Sequence, residues 1–160
     1  PDHFIIDSKR EKICRAAALH DVGKISISDT ILNKKGRLTD EEMEIMKTHT
    51  TKGYEIIKGF KLNDDEEQER YSLDIAKYHH ERWDGRGYPE GLKGDEIPLW
   101  SQIVGIVDVY DALVSPRVYK KAFSHEKAME MILAGECGTF NPILLECLKD
   151  AEELLKNEYK

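Results

Sequence analysis

The stretch LWSQIVGIVDVYDALV, residues 99–114, is apolar along most of its length and is interrupted by two carboxylates, Asp108 and Asp111. Its length favours a buried helix over a strand, and its longest apolar run, Ile103 to Val107, is far below the ~20 residues a membrane span requires. An ionised carboxylate at Asp108 is costly to bury alone, so a cationic side chain or a metal is expected to meet it. Asp111, one turn on, is the residue more readily explained by an ordinary salt bridge.

Outward from this helix the signals stay helical. Upstream, Glu81 to Pro98 is dense in glycine and contains Pro89 and Pro98, so it reads as a long functional loop rather than a regular element. Before it, the acidic block Asp64 to Glu69 suits a helix N-terminus, and Tyr71, Ile75, Tyr78 and His79 continue one stripe to a helix end at the double histidine. Thr39 with Glu42 forms a capping box that opens a helix carrying Met43, Met46 and His49, with Gly53 expected to bend or interrupt it. Glu11 to Leu19 is Ala-rich, with Ile13, Ala16, Ala17 and His20 sharing a face and Gly23 as the stop. Downstream, Ser124 and Asn141-Pro142 read as helix starts and Gly135 as a residue just past a helix end. The expected fold is all-α, a bundle of about six helices with one long loop, without internal repeat or second domain.

Composition narrows the function. The chain has 160 residues, 40% of them hydrophobic, which fits one domain with one core. A net charge of −7 disfavours a polymeric nucleic acid as partner, while a small anionic ligand remains compatible if metals or a few cations supply local positive charge. Cys14, Cys137 and Cys147 are odd in number and lack CxxC spacing, which argues against a disulfide framework and a cysteine zinc site and leaves them as core thiols. With neither a basic stretch nor a long apolar one at Pro1-Asp2-His3, no signal peptide is read, and a cytoplasmic domain without membrane contact is expected. The sequence starts without Met and opens within a helical element, so residues 1–160 are expected to be a single domain of a longer regulatory protein, lacking its first upstream helix.

The remaining polar signals are donors. His20 and Asp21, His49, His79 and His80 fall in three short motifs, and Asp108 adds a carboxylate. Each histidine alone is explained by packing or by a helix C-terminus. Together with Asp108 they form a nitrogen and oxygen set able to hold more than one transition metal.

In order, HDVGK at 20–24, THTTKG at 48–53, HHERWDGRGYP at 79–89 with GLKGDEIP at 91–98, and VDVYDALVSPRVYKKA at 107–122 resemble the HD-GYP family, a branch of the HD phosphohydrolases. The likeness runs from about Ile6 to Leu148. It implies an HD-domain helical bundle that hydrolyses cyclic di-GMP with two or three metals, usually iron or manganese, and an upstream sensor domain in the full protein; a homodimer is compatible with it. By motif match, His20, Asp21, His49, His79, His80 and Asp108 are metal ligands, with Asp21 the bridge. Asp21 and Lys24 stand at the reaction, Lys24 and the pair Arg117 and Lys120 meet the substrate's phosphates, and Gly87, Tyr88 and Pro89 shape the loop bordering the substrate. Loop packing and substrate stacking are both open for Tyr88, and Trp83 reads as a loop anchor.

The chemistry is consistent with that likeness. Phosphodiester hydrolysis needs a nucleophile and charge neutralisation, and two ions about 3.5–4 Å apart provide both by acidifying a bridging water to a pKa of about 7. Mixed imidazole and carboxylate donors suit iron or manganese and also admit zinc. Thr50, Pro116, Val118 and Asn141 depart from the family pattern without removing a ligand. The upstream region where some members carry further ligands offers only His3 here, so the set for a third metal is incomplete. Two alternatives stand beside catalysis on cyclic di-GMP: a sensor that binds it without turnover, and a hydrolase of another cyclic dinucleotide or nucleotide phosphate ester.

Overall fold

A computed structural model describes residues 7–60, 65–116 and 121–158. Their main elements are helices: α1 Asp7–Ala17, α2 Asp29–Leu32, α3 Asp40–Lys47, α4 His49–Phe60, α5 Glu66–Tyr78, α6 Leu99–Val114, α7 His125–Leu133, α8 Pro142–Asp150 and α9 Glu152–Glu158. Single 3₁₀ turns at Val22–Ser26 and Gly94–Glu96 complete the described elements. The all-α class is the expected one. The described segments outnumber the six expected because α2 and α9 are short and the helix drawn through His49 is two helices. Among the described residues, no helix is long and apolar enough to cross a membrane.

The helix starts follow the local chemistry. Thr39 accepts the Glu42 N–H at 3.2 Å while the Glu42 carboxylate accepts the Thr39 N–H at 2.8 Å, a complete capping box. Asp65 caps α5 through the N–H groups of Glu67 and Gln68. Ser124 caps α7, Asn141 caps α8 with Pro142 behind it, and Gly135 takes φ +75° after α7.

Helix α6 lies between two apolar clusters. Ile106, Tyr110 and Leu113 pack with Ala128, Met129 and Ile132 of α7 and with Phe140 and Leu148. On its other side Val104 and Trp100 meet Ala16 of α1 and Tyr71 and Ile75 of α5. Trp100, Val104 and Asp108 are spaced four apart, so the stripe that packs on α1 and α5 continues into Asp108 at the end of α1.

Three expectations change. The break in the His49 region falls at Thr48, and α4 runs straight through Gly53. Thr48, Thr50 and Thr51 each turn a hydroxyl back onto the carbonyl three residues earlier, at 2.6, 3.0 and 3.1 Å, a local bonding that competes with a continuous helix. Helix α1 stops at Ala17, and Gly23 serves in the following 3₁₀ turn instead of as the stop. A Cβ on Gly23 would lie 1.8 Å from the His49 carbonyl oxygen and 2.6 Å from the Gly53 nitrogen, so only bare backbone fits between that turn and α4. Two of the cysteines are not core thiols: Cys14 and Cys147 are exposed, while Cys137 is half-buried and packs against the cluster between α6 and α7. Cys14 sits off the face of α1 whose Ile13, Ala16 and Ala17 pack on α5, and Cys147 opens onto an apolar groove beside α6.

The segment from His80 to Pro98 is a loop, as expected. Trp83 anchors it through its main chain, donating to Thr139 O at 2.9 Å and accepting from Gly94 N at 3.0 Å.

Gly23→Ala should therefore destabilise the fold by about 1–3 kcal/mol through overpacking. Gly59→Ala, where a Cβ meets nothing within 4 Å, should stabilise α4 by about 0.5–1 kcal/mol or less. Paired urea melts check both; equal effects at the two sites would contradict the close approach at Gly23.

Candidate metal centre

The donors arrive from three helix ends and one helix side. His20 and Asp21 occupy the turn after α1, His49 opens α4, His79 closes α5 with His80 beside it, and Asp108 projects from α6. Three rings are fixed in the same way: Nδ1–H of His20 donates to Ala17 O at 2.7 Å, that of His49 to Met46 O at 2.7 Å, and that of His79 to Ile75 O at 2.8 Å. A carbonyl only accepts, so Nδ1 must hold the proton and Nε2 faces the site.

Those Nε2 atoms converge on Asp21. His49 and His79 lie 3.4 and 3.9 Å from its Oδ1, while His20 lies 3.4 Å from its Oδ2 and 3.5 Å from Asp108 Oδ1. The His80 ring completes the group, 4.1 Å from the His79 ring and 5.1 Å from that of His49 between centroids. Asp21 Oδ1, His49 Nε2 and His79 Nε2 are buried with no hydrogen-bond partner. Acceptors facing acceptors cost roughly 1–3 kcal/mol per unsatisfied group unless a cation lies among them. The donors form two groups, His20, Asp21, His79 and His49, His79, His80, each with its ligand atoms within 4.8 Å of one another. Nitrogen and oxygen donors in such groups fit divalent transition metals.

Electrostatics prepare the same result. Burial opposes a charge on His20, yet its contacts with Asp108 and Asp21 raise its pKa to about 10, so in the metal-free protein a proton acts as the missing cation. Burial also opposes ionisation of Asp21, but His20 and Lys24 hold the carboxyl well below the usual range. Burial lowers His49; burial and the charge on His20 bring His79 to about 4; burial and the neighbouring His79 hold His80 well below the usual imidazole range. Three neutral imidazoles therefore stand ready as ligands.

The expected donors thus come together as a set. Asp108 is half-buried rather than enclosed, and its positive neighbour is His20. Asp111 is exposed and accepts from the Ser115 hydroxyl at 3.1 Å. Lys24 reaches the cluster with its Nζ 2.5 Å from Asp21 Oδ2. Tyr88 stacks on His80 at 4.7 Å and 21°, with Lys47 Nζ 5.6 Å from its ring centroid, and burial raises its pKa so that it remains a phenol. Arg117 and Lys120 lie outside the described residues.

Sequence reasoning named Gly23 as a helix stop and Gly87 as a loop residue, but missed Gly105 and the close approach that all three allow. A Cβ on Gly105 would fall 2.6 Å from the His79 carbonyl oxygen, and one on Gly87 2.5 Å from that of His80. With Gly23 on His49, a glycine abuts the main chain of three of the four histidines. A lone glycine inside the apolar helical pattern at 105 was the available signal.

Comparison with known proteins agrees with this geometry. Residues 5–140 match the HD domain family. A Vibrio cholerae protein named cyclic di-GMP phosphodiesterase is 43% identical over 89% of this chain and 29% of its own length. One of that name from Thermotoga maritima is 43% identical over 91% of the chain and 38% of its own length. A Vibrio cholerae 3′3′-cGAMP-specific phosphodiesterase 2 is 40% identical over 90% of the chain and 27% of its own length. The chain thus spans about a third of the length of these curated relatives. With its histidine and aspartate cluster, its glycine-lined approaches and its Gly87-Tyr88-Pro89 loop in one place, the chain belongs to the HD-domain family, in its HD-GYP branch.

Proposed function

We propose that this chain hydrolyses a phosphodiester bond of cyclic di-GMP, with His20, Asp21, His49, His79, His80 and Asp108 as ligands of two divalent transition ions, iron or manganese. The observation that carries the reading is the division of Asp21: Oδ1 faces His49 and His79, Oδ2 faces His20 and Lys24, so one carboxylate serves both donor groups. When bound, paired ions supply Lewis acidity and neutralise charge on the phosphoryl oxygens.

The chain's own residues do the rest. The Nδ1 bonds hold three imidazoles in place before any ligand arrives, so little reorganisation accompanies binding. Asp108 keeps His20 oriented from the opposite side. Lys24 sets its ammonium against Asp21 and is suited to a phosphate oxygen once Asp21 is engaged elsewhere. Tyr88, lying on His80, offers an aromatic surface at the mouth. The motif match assigns Arg117 and Lys120 to the substrate's phosphates. The names of the relatives support a cyclic dinucleotide as substrate.

The test is hydrolysis of cyclic di-GMP by protein of measured metal content, followed by chromatography of the products. Loss of one ligand should lower turnover by about 100-fold or more, since even removing a residue that only supports a ligand typically costs 10–100-fold. His20→Ala and Asp108→Asn should both show this. Binding without turnover by a fully metallated wild type would favour a sensor, and unchanged turnover in both variants would overturn the metal assignment.

One observation favours a second substrate: relatives 40% and 36% identical to this chain are named 3′3′-cGAMP-specific. Parallel kcat/KM measurements on both dinucleotides decide between them. Cyclic di-GMP should be preferred, and an advantage of about tenfold for 3′3′-cGAMP, worth ~1.4 kcal/mol at the transition state, would reassign the substrate.

A further inference from the structure

Glutamate is rarely buried without a partner, and Glu81, next to the paired histidines, is only 5% exposed. Its carboxylate is satisfied by main chain. Oε1 accepts the N–H groups of Glu90 at 2.7 Å and Gly91 at 3.1 Å, and Oε2 accepts that of Leu92 at 3.0 Å. Three consecutive amides aimed at one anion form a nest, and the middle residue, Gly91, takes the φ of +69° that turns them inward. The chain supplies the anion from its own side chain.

The segment held in this way continues from Gly87-Tyr88-Pro89. On its near side, Tyr88 donates its N–H to His80 O at 3.3 Å, and Gly87 lies so close to Glu81 that a Cβ would fall 2.5 Å from the Glu81 Cα. On its far side, Glu90 pairs with Lys77 and accepts from the Tyr78 hydroxyl at 3.3 Å. Glu81 sits between these ties, and the ring it supports is the one stacked on His80. The apolar clusters about α6 do not include Glu81 or residues 87–92. Loss of the carboxylate should therefore loosen the loop and leave the bundle intact.

We propose that Glu81 is a positioning residue: it sets the Gly87 to Leu92 loop, and with it the Tyr88 ring, against His80, so that recognition of a cyclic dinucleotide depends on a carboxylate that touches no substrate. The kinetic part rests on the functional reading above; the structural part does not.

Glu81→Gln keeps the shape but sets an NH₂ donor against donor N–H groups, leaving at least one amide unpartnered. Amide hydrogen exchange of the metal-free protein should show protection at Glu90, Gly91 and Leu92 falling roughly tenfold or more, as expected for loss of charge-assisted bonds, with Ile75 and Tyr110 unchanged. In the manganese-loaded enzyme KM for cyclic di-GMP should rise about tenfold, while turnover of bis(p-nitrophenyl) phosphate, too small to need the loop, should change less than about twofold. Adding Tyr88→Ala to Glu81→Gln should change KM by less than about twofold more, because both act through one contact. Unchanged exchange at residues 90–92, a variant that fails to fold, equal losses on both substrates, or effects that multiply would each overturn the proposal. A wild type inactive on cyclic di-GMP would overturn the functional reading, and the exchange measurement would still decide whether Glu81 holds the loop.

Discussion

Three short hydrogen bonds from histidine Nδ1–H groups to main-chain carbonyls govern the site. The acceptors, Ala17, Met46 and Ile75, each lie in the last turn of a helix, α1, α3 and α5, and each carbonyl also accepts a main-chain N–H, from His20, Thr48 and His79 respectively. Each ring N–H takes the carbonyl's second lone pair, which locks the ring and its tautomer. The lone pairs are left facing Asp21, an arrangement that is unfavourable for the isolated chain and favourable around a cation. A cation placed among these atoms would meet lone pairs already aimed at it, and without one the fold carries the cost in buried atoms without partners.

Such convergence requires the helices to approach more closely than ordinary side chains allow. Gly23 against His49, Gly105 against His79 and Gly87 against His80 provide that proximity, and the stripe Trp100, Val104, Asp108 carries α6 from an apolar packing face into the cluster. The glycine contacts set where the ligand backbones lie; the Nδ1 bonds set where the rings point. Glu81 extends the same logic to the loop, using main-chain donors to fix a segment that has no core of its own.

Much of this was legible in the sequence. The caps at Thr39, Ser124 and Asn141, the span Leu99–Val114, the helix end at His79 and the irregular loop follow from residue chemistry that acts within a few positions. The donor set was legible because its members sit in short ordered motifs, and Asp108 because a carboxylate in an apolar run needs an explanation. What escaped depends on neighbours distant in sequence. Gly53 has the appearance of a helix breaker, but the Gly23 turn packs on it; Cys14 and Cys147 have the composition of core residues, but their helices present other faces inward. The threonine hydroxyls that end α3 act locally, yet they compete with a strong hydrophobic period that points to one continuous helix. Glu81 offered no signal at all, since its three partners become neighbours only when the loop closes.

The rings are oriented by the chain itself, with Nε2 left free for a metal to occupy. Long-range ¹H–¹⁵N NMR of the histidine rings in metal-free protein at neutral pH tests it most directly. Nδ1–H tautomers are expected for His49 and His79, with a doubly protonated His20 that loses its Nε2 proton when zinc is added as a diamagnetic probe. Nε2–H tautomers at His49 and His79, or free exchange between the two forms, would contradict it.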